Sequence, residues 1–281
     1  MDLFVNGTSI ATGIGSGGEK FKGFGDGDIT TSWVHFLANK LNCDRLWNHS
    51  FPSKPMSFTI ADTMGFCEQY YERYGTYDNL FAIIEWSLPK AHGKWPPVVS
   101  NSPLYKDRVI LPVVISEPGT PDVYKTMYMC KPDKVDYLLP NKPLYDLVHW
   151  RYIDEMSKQK HESQRDQYYH RFYNLSKRIV EAQQEIIYTK QWLKQRNIKY
   201  MMFWAFGVGS KQGIRKMISS AMPEVEKDPR FISIKDFSAL DYGAKYSLKL
   251  YNSHPDIHGQ KHISEYLYNY IICHQLLPKV A

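Results

Sequence analysis

The sequence predicts an α/β fold, a three-layer α/β/α sandwich with about five mostly parallel strands. Three observations predict it. Short apolar runs of strand length recur along the chain. Between them lie longer stretches whose apolar residues recur at helical spacing. Strand and helix alternate, which is typical of a parallel sheet covered by helices on both faces.

The composition bounds the class of protein. The chain has 281 residues, 43% of them hydrophobic, which allows one large domain with a sizeable core. The net charge of +6 is spread along the chain without a Lys/Arg block, so we expect no nucleic-acid partner. The four cysteines form no CxxC pair, which argues against a zinc ribbon. No signal peptide and no apolar run of about 18 residues is evident, so we expect a cytoplasmic protein without a membrane partner.

Five segments are predicted as strands of the sheet. Three are apolar runs from Leu3 to Val5, Leu80 to Ile84 and Tyr200 to Phe206. The other two are DRLWNHS, from Asp44, and FISI, from Phe231. The first strand begins almost at the first residue of the sequence.

Helices are predicted between these strands. ITTSWVHFLANKLN has apolar residues at helical spacing and either Thr30 or Thr31 as its N-cap. SFTIADTMGFCEQYYERYG is predicted as a second helix that ends at Gly75. Residues 144–196 are predicted as mostly helical, with a long amphipathic helix that leads into the strand at Tyr200.

Residues 88–145 interrupt the alternation. They contain ten prolines and one β-like patch, RVILPVVIS. We interpret them as an insertion of loops with a hairpin after the third strand, forming a lid or a partner surface, within a single domain that spans residues 1–281.

Two stretches at opposite ends of the chain carry residues suited to catalysis. GTSIATG places Ser9 just past the first strand, where ligands and nucleophiles lie in α/β folds. HPDIHG places His254 in a Pro-Gly loop before the last helix, whose apolar face runs through Ile263, Leu267 and Ile271. A histidine held in such a loop can be aimed across the carboxyl edge of the sheet as a general base.

These two stretches resemble the first and last blocks of the SGNH (GDSL-type) hydrolases. The first block of that family reads Gly-Asp-Ser-Ile/Leu-x-x-Gly, and the last carries a His-Pro followed by a glycine. The order along the chain is also that of the family. The resemblance implies a flavodoxin-like α/β fold, esterase activity through a serine nucleophile, and no cofactor. The Trp-Ser block after the third strand is similar to that of tailed-phage proteins, which implies association with a virion if the chain is of phage origin.

The resemblance also assigns roles to individual residues. Ser9 is the nucleophile and His254 the general base. The oxyanion is held by the N–H of Ser9, an N–H near Lys54 in NHSFPSKPMS, and the hydroxyl of Ser87 in IEWSLP. Trp86, beside Ser87, is assigned to the substrate side of the site.

The sequence leaves several candidates for the acid of the expected triad. The family places an aspartate three residues before the histidine, where this chain has Tyr251. Asn252, two residues before the histidine, can orient the ring without supplying a charge. Asp236 or Asp241 can supply the charge from upstream, or the site can work as a Ser-His dyad. Thr8 stands where the family has its first aspartate.

The sequence therefore predicts a serine esterase or deacetylase that hydrolyses an O-acyl ester. A small acylated substrate, with a carbohydrate as the acceptor, is what the resemblance implies. The alternative from a different class is a non-catalytic SGNH-like structural or binding module, for instance one associated with a phage virion.

Two further motifs suggest ligands but lack the context that such ligands need. Gly13 to Gly18 matches G-x-G-x-x-G, but no strand ends just before it and no helix starts just after it. His254, His258 and His262 lie four residues apart, as on a metal-binding helix face. The proline and glycine among them predict that the first two lie in a loop. We therefore expect neither a nucleotide cofactor nor a metal.

Overall fold

The computed structural model describes residues 1–16, 29–50, 54, 56–87, 98–99, 109–115, 123–129, 149–151, 175–207, 223–251 and 254–278. In chain order the elements are β1 (Asp2–Asn6), α1 (Trp33–Lys40), β2 (Arg45–Asn48), α2 (Met56–Tyr74), β3 (Leu80–Trp86), β4 (Val98–Val99), β5 (Val109–Ile115), β6 (Val123–Met129), β7 (His149–Arg151), α3 (Leu175–Gln195), β8 (Lys199–Trp204), α4 (Pro223–Glu226), α5 (Ala239–Tyr246) and α6 (Ile257–Cys273).

A parallel sheet of four strands, in the order β2-β1-β3-β8, forms the centre of the fold. Asn6 pairs with Ile84 between β1 and β3, and Val5 pairs with Asn48 between β1 and β2. Because the strands are parallel and in close register, their carboxyl ends lie along one edge. This is the edge where α/β folds bind ligands.

The sheet is covered on both faces, as the sequence predicts. Along β3, Leu80, Ala82 and Ile84 belong to one buried cluster, and Phe81 and Ile83 belong to another. The first cluster includes side chains of α2 and α3, and the second includes side chains of α1 and α6. Since side chains of a strand point to alternate faces, the two clusters are the two layers of the core. The fold is a three-layer α/β/α sandwich.

The prediction of a fifth strand at FISI is wrong. Phe231 forms only an isolated parallel bridge with Met202, and Ser238 forms another with Trp204. Between these bridges the N–H groups of Asp236 and Phe237 both donate to the carbonyl of Ser233. The chain therefore touches the edge of β8 twice but turns away before it can form a ladder.

The helix boundaries follow local capping chemistry. The N-cap of α1 is Ser32, whose hydroxyl accepts from the N–H of His35, so the predicted caps Thr30 and Thr31 lie two residues and one residue too early. They are part of a 3₁₀ turn. The second prediction is confirmed, because α2 ends before Gly75, which has a φ of 72° and donates its N–H to the preceding turn.

The region after β3 contains a second, antiparallel sheet in the order β4-β5-β6-β7. This includes the predicted β-like patch, which pairs as β5 with β6. β7 lies inside residues 144–196, so the prediction that this stretch is largely helix is wrong at that point. The pairing of β7 with β6 imposes extended backbone there. The described helix of this stretch is α3, which leads into β8.

No helix in the described ranges combines the length and the apolar character needed to cross a bilayer.

Candidate active site

Ser9 and His254, which are 245 residues apart in sequence, meet at the carboxyl edge of the sheet. The Nε2 atom of His254 lies 2.8 Å from Oγ of Ser9. Both residues are buried, with 5% and 8% of their surfaces exposed. A neutral histidine with its proton on Nδ1 can accept the hydroxyl proton at Nε2, which is the geometry a general base needs.

Ser9 lies in a turn that follows β1, which we call the Ser9 turn (residues 7–13). The carbonyls of three successive residues in it, Ser9, Ile10 and Ala11, are hydrogen-bonded. The Ser9 carbonyl accepts from Oγ1 of Thr12 at 2.7 Å, and the Ala11 carbonyl accepts from Nδ2 of Asn48 at 3.0 Å. The Ile10 carbonyl accepts from Nε2 of Gln260 on α6 at 3.3 Å. The turn is thus fixed from β2 and from α6 as well as by its own side chains.

Backbone contacts hold His254 beside this turn. His254 and Tyr251 exchange N–H to carbonyl bonds at 2.9 and 3.0 Å, which closes a tight loop. Gly15 has a φ of 87°, and a Cβ on it would lie 2.9 Å from Cβ of His254. A side chain at position 15 would therefore displace the histidine, so Gly15 is needed both for its conformation and for the close approach.

Asp256 connects the histidine loop to the last helix. It is the N-cap of α6, and one carboxylate oxygen accepts from the N–H groups of His258 and Gly259. The other oxygen accepts from the N–H groups of Leu248 and Lys249. Burial alone would raise the pKa of Asp256, but these four donors lower it overall. An ionised Asp256 therefore fixes the segment on both sides of His254.

A buried carboxyl group lies against the other side of the Ser9 turn. Glu85, in β3, accepts from both the N–H and the hydroxyl of Thr8 at Oε1, at 2.9 and 2.5 Å. Its Oε2 accepts from Nε1 of Trp33 at 3.3 Å. We call Gly7, Thr8, Trp33 and Glu85 the glutamate pocket. Burial raises the pKa of Glu85 to about 7, and the donors from Thr8, Trp33 and Ala11 limit the rise.

A second buried polar group lies where β1 and β2 end. We call it the lysine cluster, and it consists of Asn6, His49, Lys54 and Asp62. The Lys54 ammonium donates to the Asn6 side chain, the His49 carbonyl and Asp62. Asp62 also lies 3.0 Å from Nδ1 of His49. All three donors of the ammonium therefore have acceptors inside the protein.

Charge compensation sets the protonation states in this cluster. Burial lowers the pKa of Lys54 to about 8, against the opposing effect of Asp62. Burial alone would raise the pKa of Asp62, but Lys54 and His49 lower it overall. Both members of the pair are therefore charged at pH 7.

The remaining predicted site residues occupy different positions. Ser87 is partly exposed directly after β3, at the same edge as Ser9. Trp86 is fully buried in the core with α2 and α3, so none of its side chain is left for a substrate. The Lys54 side chain is engaged in the lysine cluster, and its backbone N–H remains a predicted oxyanion donor. Asn252 lies outside the described residues.

The two candidate acids lie in different places. Burial raises the pKa of Tyr266 and of Tyr270, both in α6, and the charge of Asp236 adds to both rises. The carboxylate of Asp241 packs against Gly207, three residues beyond β8, at the carboxyl edge of the sheet. Asp241 therefore lies at the edge of the sheet where Ser9 lies.

The histidines spaced four residues apart and the G-x-G-x-x-G string do not form ligand sites within the described residues. His258 lies in the first turn of α6 rather than in the predicted loop, because Asp256 caps that helix. His262 is exposed and stacks on Tyr246 at 4.2 Å. Within the described ranges, no three His, Cys, Asp or Glu side chains are grouped as metal ligands. In the G-x-G-x-x-G string, Gly13 lies in the Ser9 turn and Gly18 lies outside the described residues.

Sequence reasoning missed Glu85 and Gln260. Both are fully buried. The signal for Glu85 is a carboxylate inside the otherwise apolar strand LFAIIEW. The signal for Gln260 is an amide in line with the apolar face of α6, three residues before Ile263. Its Oε1 accepts from the N–H of Trp33 at 3.0 Å, so it joins α1, α6 and the Ser9 turn.

No protein-family model matches the chain, and no curated protein matches it. Among solved structures, it is similar to the psychrotrophic esterase EstA from Pseudoalteromonas sp., with 12% identity, a TM-score of 0.45 and coverage of 98% of each chain. It is similar to a lipolytic protein of the G-D-S-L family from Desulfitobacterium hafniense, with 10% identity, a TM-score of 0.41 and coverage of 96% of this chain and 98% of the other.

A third similar structure is an acetyl xylan esterase from the rumen bacterium Butyrivibrio proteoclasticus. The identity is 11% and the TM-score 0.41, with coverage of 98% of this chain and 64% of the other. The second of these structures is of a protein of the G-D-S-L family, which the motifs around Ser9 and His254 resemble. At these identities and TM-scores the likeness says nothing of activity, which has to be argued from the residues of this chain.

Proposed function

We propose that this protein is a serine esterase that hydrolyses an O-acyl ester. The observation that carries the proposal is the 2.8 Å contact between Oγ of Ser9 and Nε2 of His254. A serine hydroxyl is a weak nucleophile until an adjacent base accepts its proton, and this contact supplies the base. Support also comes from the position of the pair, at the carboxyl edge of a parallel sheet.

The reaction proceeds in two similar steps. Oγ of Ser9 attacks the ester carbonyl carbon while its proton moves to Nε2 of His254. When the C–O bond breaks, His254 returns that proton to the leaving alcohol, and the acyl group remains on Ser9. Water then attacks the acyl-enzyme with His254 again as base, and the carboxylic acid leaves. The N–H groups of Ser9 and Lys54 and the hydroxyl of Ser87 are the proposed oxyanion donors.

Asp241 is the better placed of the two aspartates to assist His254, because its carboxylate lies at the carboxyl edge of the sheet. Asp236 is the matched control, since its charge acts on tyrosines of α6. If Asp241 assists the base, Asp241→Asn lowers kcat and Asp236→Asn does not. If both variants keep the wild-type kcat, the site works as a Ser-His dyad.

The proposed substrate is a small acyl ester on a carbohydrate, as the resemblance implies. Acetylated xylan and acetylated monosaccharides should be hydrolysed with a higher kcat/KM than p-nitrophenyl acetate if the acceptor is recognised. Equal or lower values would leave the esterase proposal intact and remove the carbohydrate.

The experiment compares hydrolysis of p-nitrophenyl acetate by the wild type, Ser9→Ala and Ser16→Ala. Ser16 is the matched control because it is another buried serine after β1, and its hydroxyl contacts Gly13 and Thr31 instead of a histidine. We expect Ser9→Ala to lose at least about a thousand-fold in kcat, and Ser16→Ala to stay near wild type. If all three proteins show the background rate, the esterase proposal fails and the non-catalytic binding module takes its place.

A further inference from the structure

The carboxyl group of Glu85 has no role in the mechanism above, although it lies against the turn that carries the proposed nucleophile. It is fully buried, and it bonds to the residue just before Ser9. The carboxyl group contacts Thr8 and Ala11 of the Ser9 turn and Trp33 of α1. None of these carries a charge, so no described cation compensates the carboxylate.

The donors to Glu85 lie on both sides of Ser9. The N–H and hydroxyl of Thr8 precede Ser9, and the backbone N–H of Ala11 follows it by two residues. A single acceptor that binds backbone on both sides of a residue fixes the curvature of the turn between them. That curvature sets where Oγ of Ser9 lies relative to His254.

Gly7 shows that the carboxyl group and the turn are packed against each other. A Cβ on Gly7 would lie 2.8 Å from Cβ of Glu85 and 3.2 Å from Oε1. A side chain at position 7 would therefore force Glu85 and the turn apart. The glycine, the threonine hydroxyl and the carboxylate therefore depend on one another.

We infer that Glu85 is a positioning residue, whose ionised carboxylate holds the Ser9 turn in the form in which the serine hydroxyl meets His254. Protonation of Glu85 turns one acceptor oxygen into a donor, which competes with the donors of Thr8 and Trp33. Turnover then falls although both reacting side chains are present. This inference rests on the proposed esterase function.

The burial of Glu85 supports this assignment. Because burial raises its pKa to about 7, the carboxyl group changes charge within the range where an esterase is assayed. A buried carboxylate with only neutral donors is a costly way to cap a turn, and such groups cluster at functional sites. The requirement for an ionised Glu85 therefore makes the activity sensitive to pH near neutrality.

The test measures kcat and KM for p-nitrophenyl acetate from pH 5 to pH 9 in the wild type and Glu85→Gln. A neutral His254 alone gives an acid limb of log kcat with a slope of one. A second required ionisation steepens that limb toward two. We expect Glu85→Gln to lower kcat by roughly 10- to 100-fold with KM within about three-fold, and its acid limb to have a slope of one.

Thr8 provides a second, conservative pair of variants. Thr8→Val removes the hydroxyl donor at nearly the same volume, and Thr8→Ser keeps it. We expect Thr8→Val to lower kcat about ten-fold and Thr8→Ser to restore it to within about two-fold of wild type. Thermal melts at pH 8 should show Glu85→Gln at least as stable as wild type, which separates positioning from folding.

The outcomes distinguish the inference from the function on which it rests. If the wild type hydrolyses the ester and Glu85→Gln matches it in kcat and in the slope of the acid limb, the inference is overturned and the esterase stands. Loss of kcat in proportion to loss of folded protein overturns it too. If the wild type is itself inactive and Ser9 does not react with a fluorophosphonate, both are overturned.

Discussion

The lysine cluster and the glutamate pocket are two buried polar groups at the same edge of the sheet, and they treat charge in opposite ways. In the lysine cluster, Asp62 is held between an ammonium and an imidazole. In the glutamate pocket, Glu85 receives only neutral donors. Compensation lowers the pKa of Asp62, while burial raises the pKa of Glu85 to about 7.

This difference matters because of what each group supports. The lysine cluster fixes the segment after β2 to the end of β1, and a pair that is charged at pH 7 is suited to that structural task. The glutamate pocket fixes the turn that carries Ser9, and its charge varies near neutral pH. Two carboxylates of equal burial therefore differ near pH 7, where Asp62 stays ionised beside Lys54 and Glu85 changes charge.

The largest expected effect on stability is that of Asp62→Asn. It leaves the buried Lys54 ammonium without its counterion, which costs about 3 to 5 kcal/mol in buried pairs. We expect the free energy of unfolding at pH 7, from urea titrations, to fall by that amount. The control is Lys54→Met with Asp62→Leu, which should lie closer to wild type because no charge is left unpaired. A double variant as unstable as the single one would contradict the compensation argument.

The next effect is a pH dependence in Glu85→Gln. In the wild type the pKa of Glu85 rises from 4.5 to about 7 on folding, so the folded state binds the additional proton between these pH values. Stability that this proton provides is present at low pH and is lost as the pH rises through 7. One pKa unit corresponds to about 1.4 kcal/mol. The free energy of unfolding of Glu85→Gln, relative to that of wild type, should therefore rise by about 3 kcal/mol between pH 4 and pH 8. If the free energies of unfolding of the two proteins run parallel from pH 4 to pH 8, the pKa of Glu85 does not rise on folding.

A smaller effect is expected from Gln260→Ala. The change leaves the Ile10 carbonyl and the Trp33 N–H without their described side-chain partner, at a cost of about 1 to 3 kcal/mol. The effect should extend to kcat, because Ile10 follows Ser9 directly. Gln260→Glu keeps an acceptor for Trp33 but buries a carboxyl group in place of the donor to Ile10, so it should also be less stable than wild type. A kcat unaffected by both changes would exclude α6 from positioning the turn.

The sequence was enough to predict the sheet and the two residues that meet at its edge. Three apolar runs became β1, β3 and β8, because a buried parallel strand needs apolar residues on both faces, and the more polar segment DRLWNHS became β2. The fifth run, at Phe231, has the same composition, but a local turn at Ser233 ends its pairing. Composition within four residues does not reveal such a turn.

The glutamate pocket and the link from the lysine cluster to β1 could not be predicted because these partners are far apart in sequence. Lys54 precedes α2 and Asp62 lies in it. Asn6, which accepts from Lys54, belongs to β1. Glu85 meets Thr8 across 77 residues. Which buried polar side chains face each other is set by strand order and register, which local patterns do not specify.

The central claim is that Ser9 is a nucleophile activated by His254. The most direct measurement is to treat the wild type, His254→Ala and Ser16→Ala with a fluorophosphonate and to locate the label by peptide mass spectrometry. We predict one label, on Ser9, in the wild type and in Ser16→Ala, and labelling at least about a hundred-fold slower in His254→Ala. No label on Ser9 in the wild type, or equal labelling rates with and without His254, would contradict the claim.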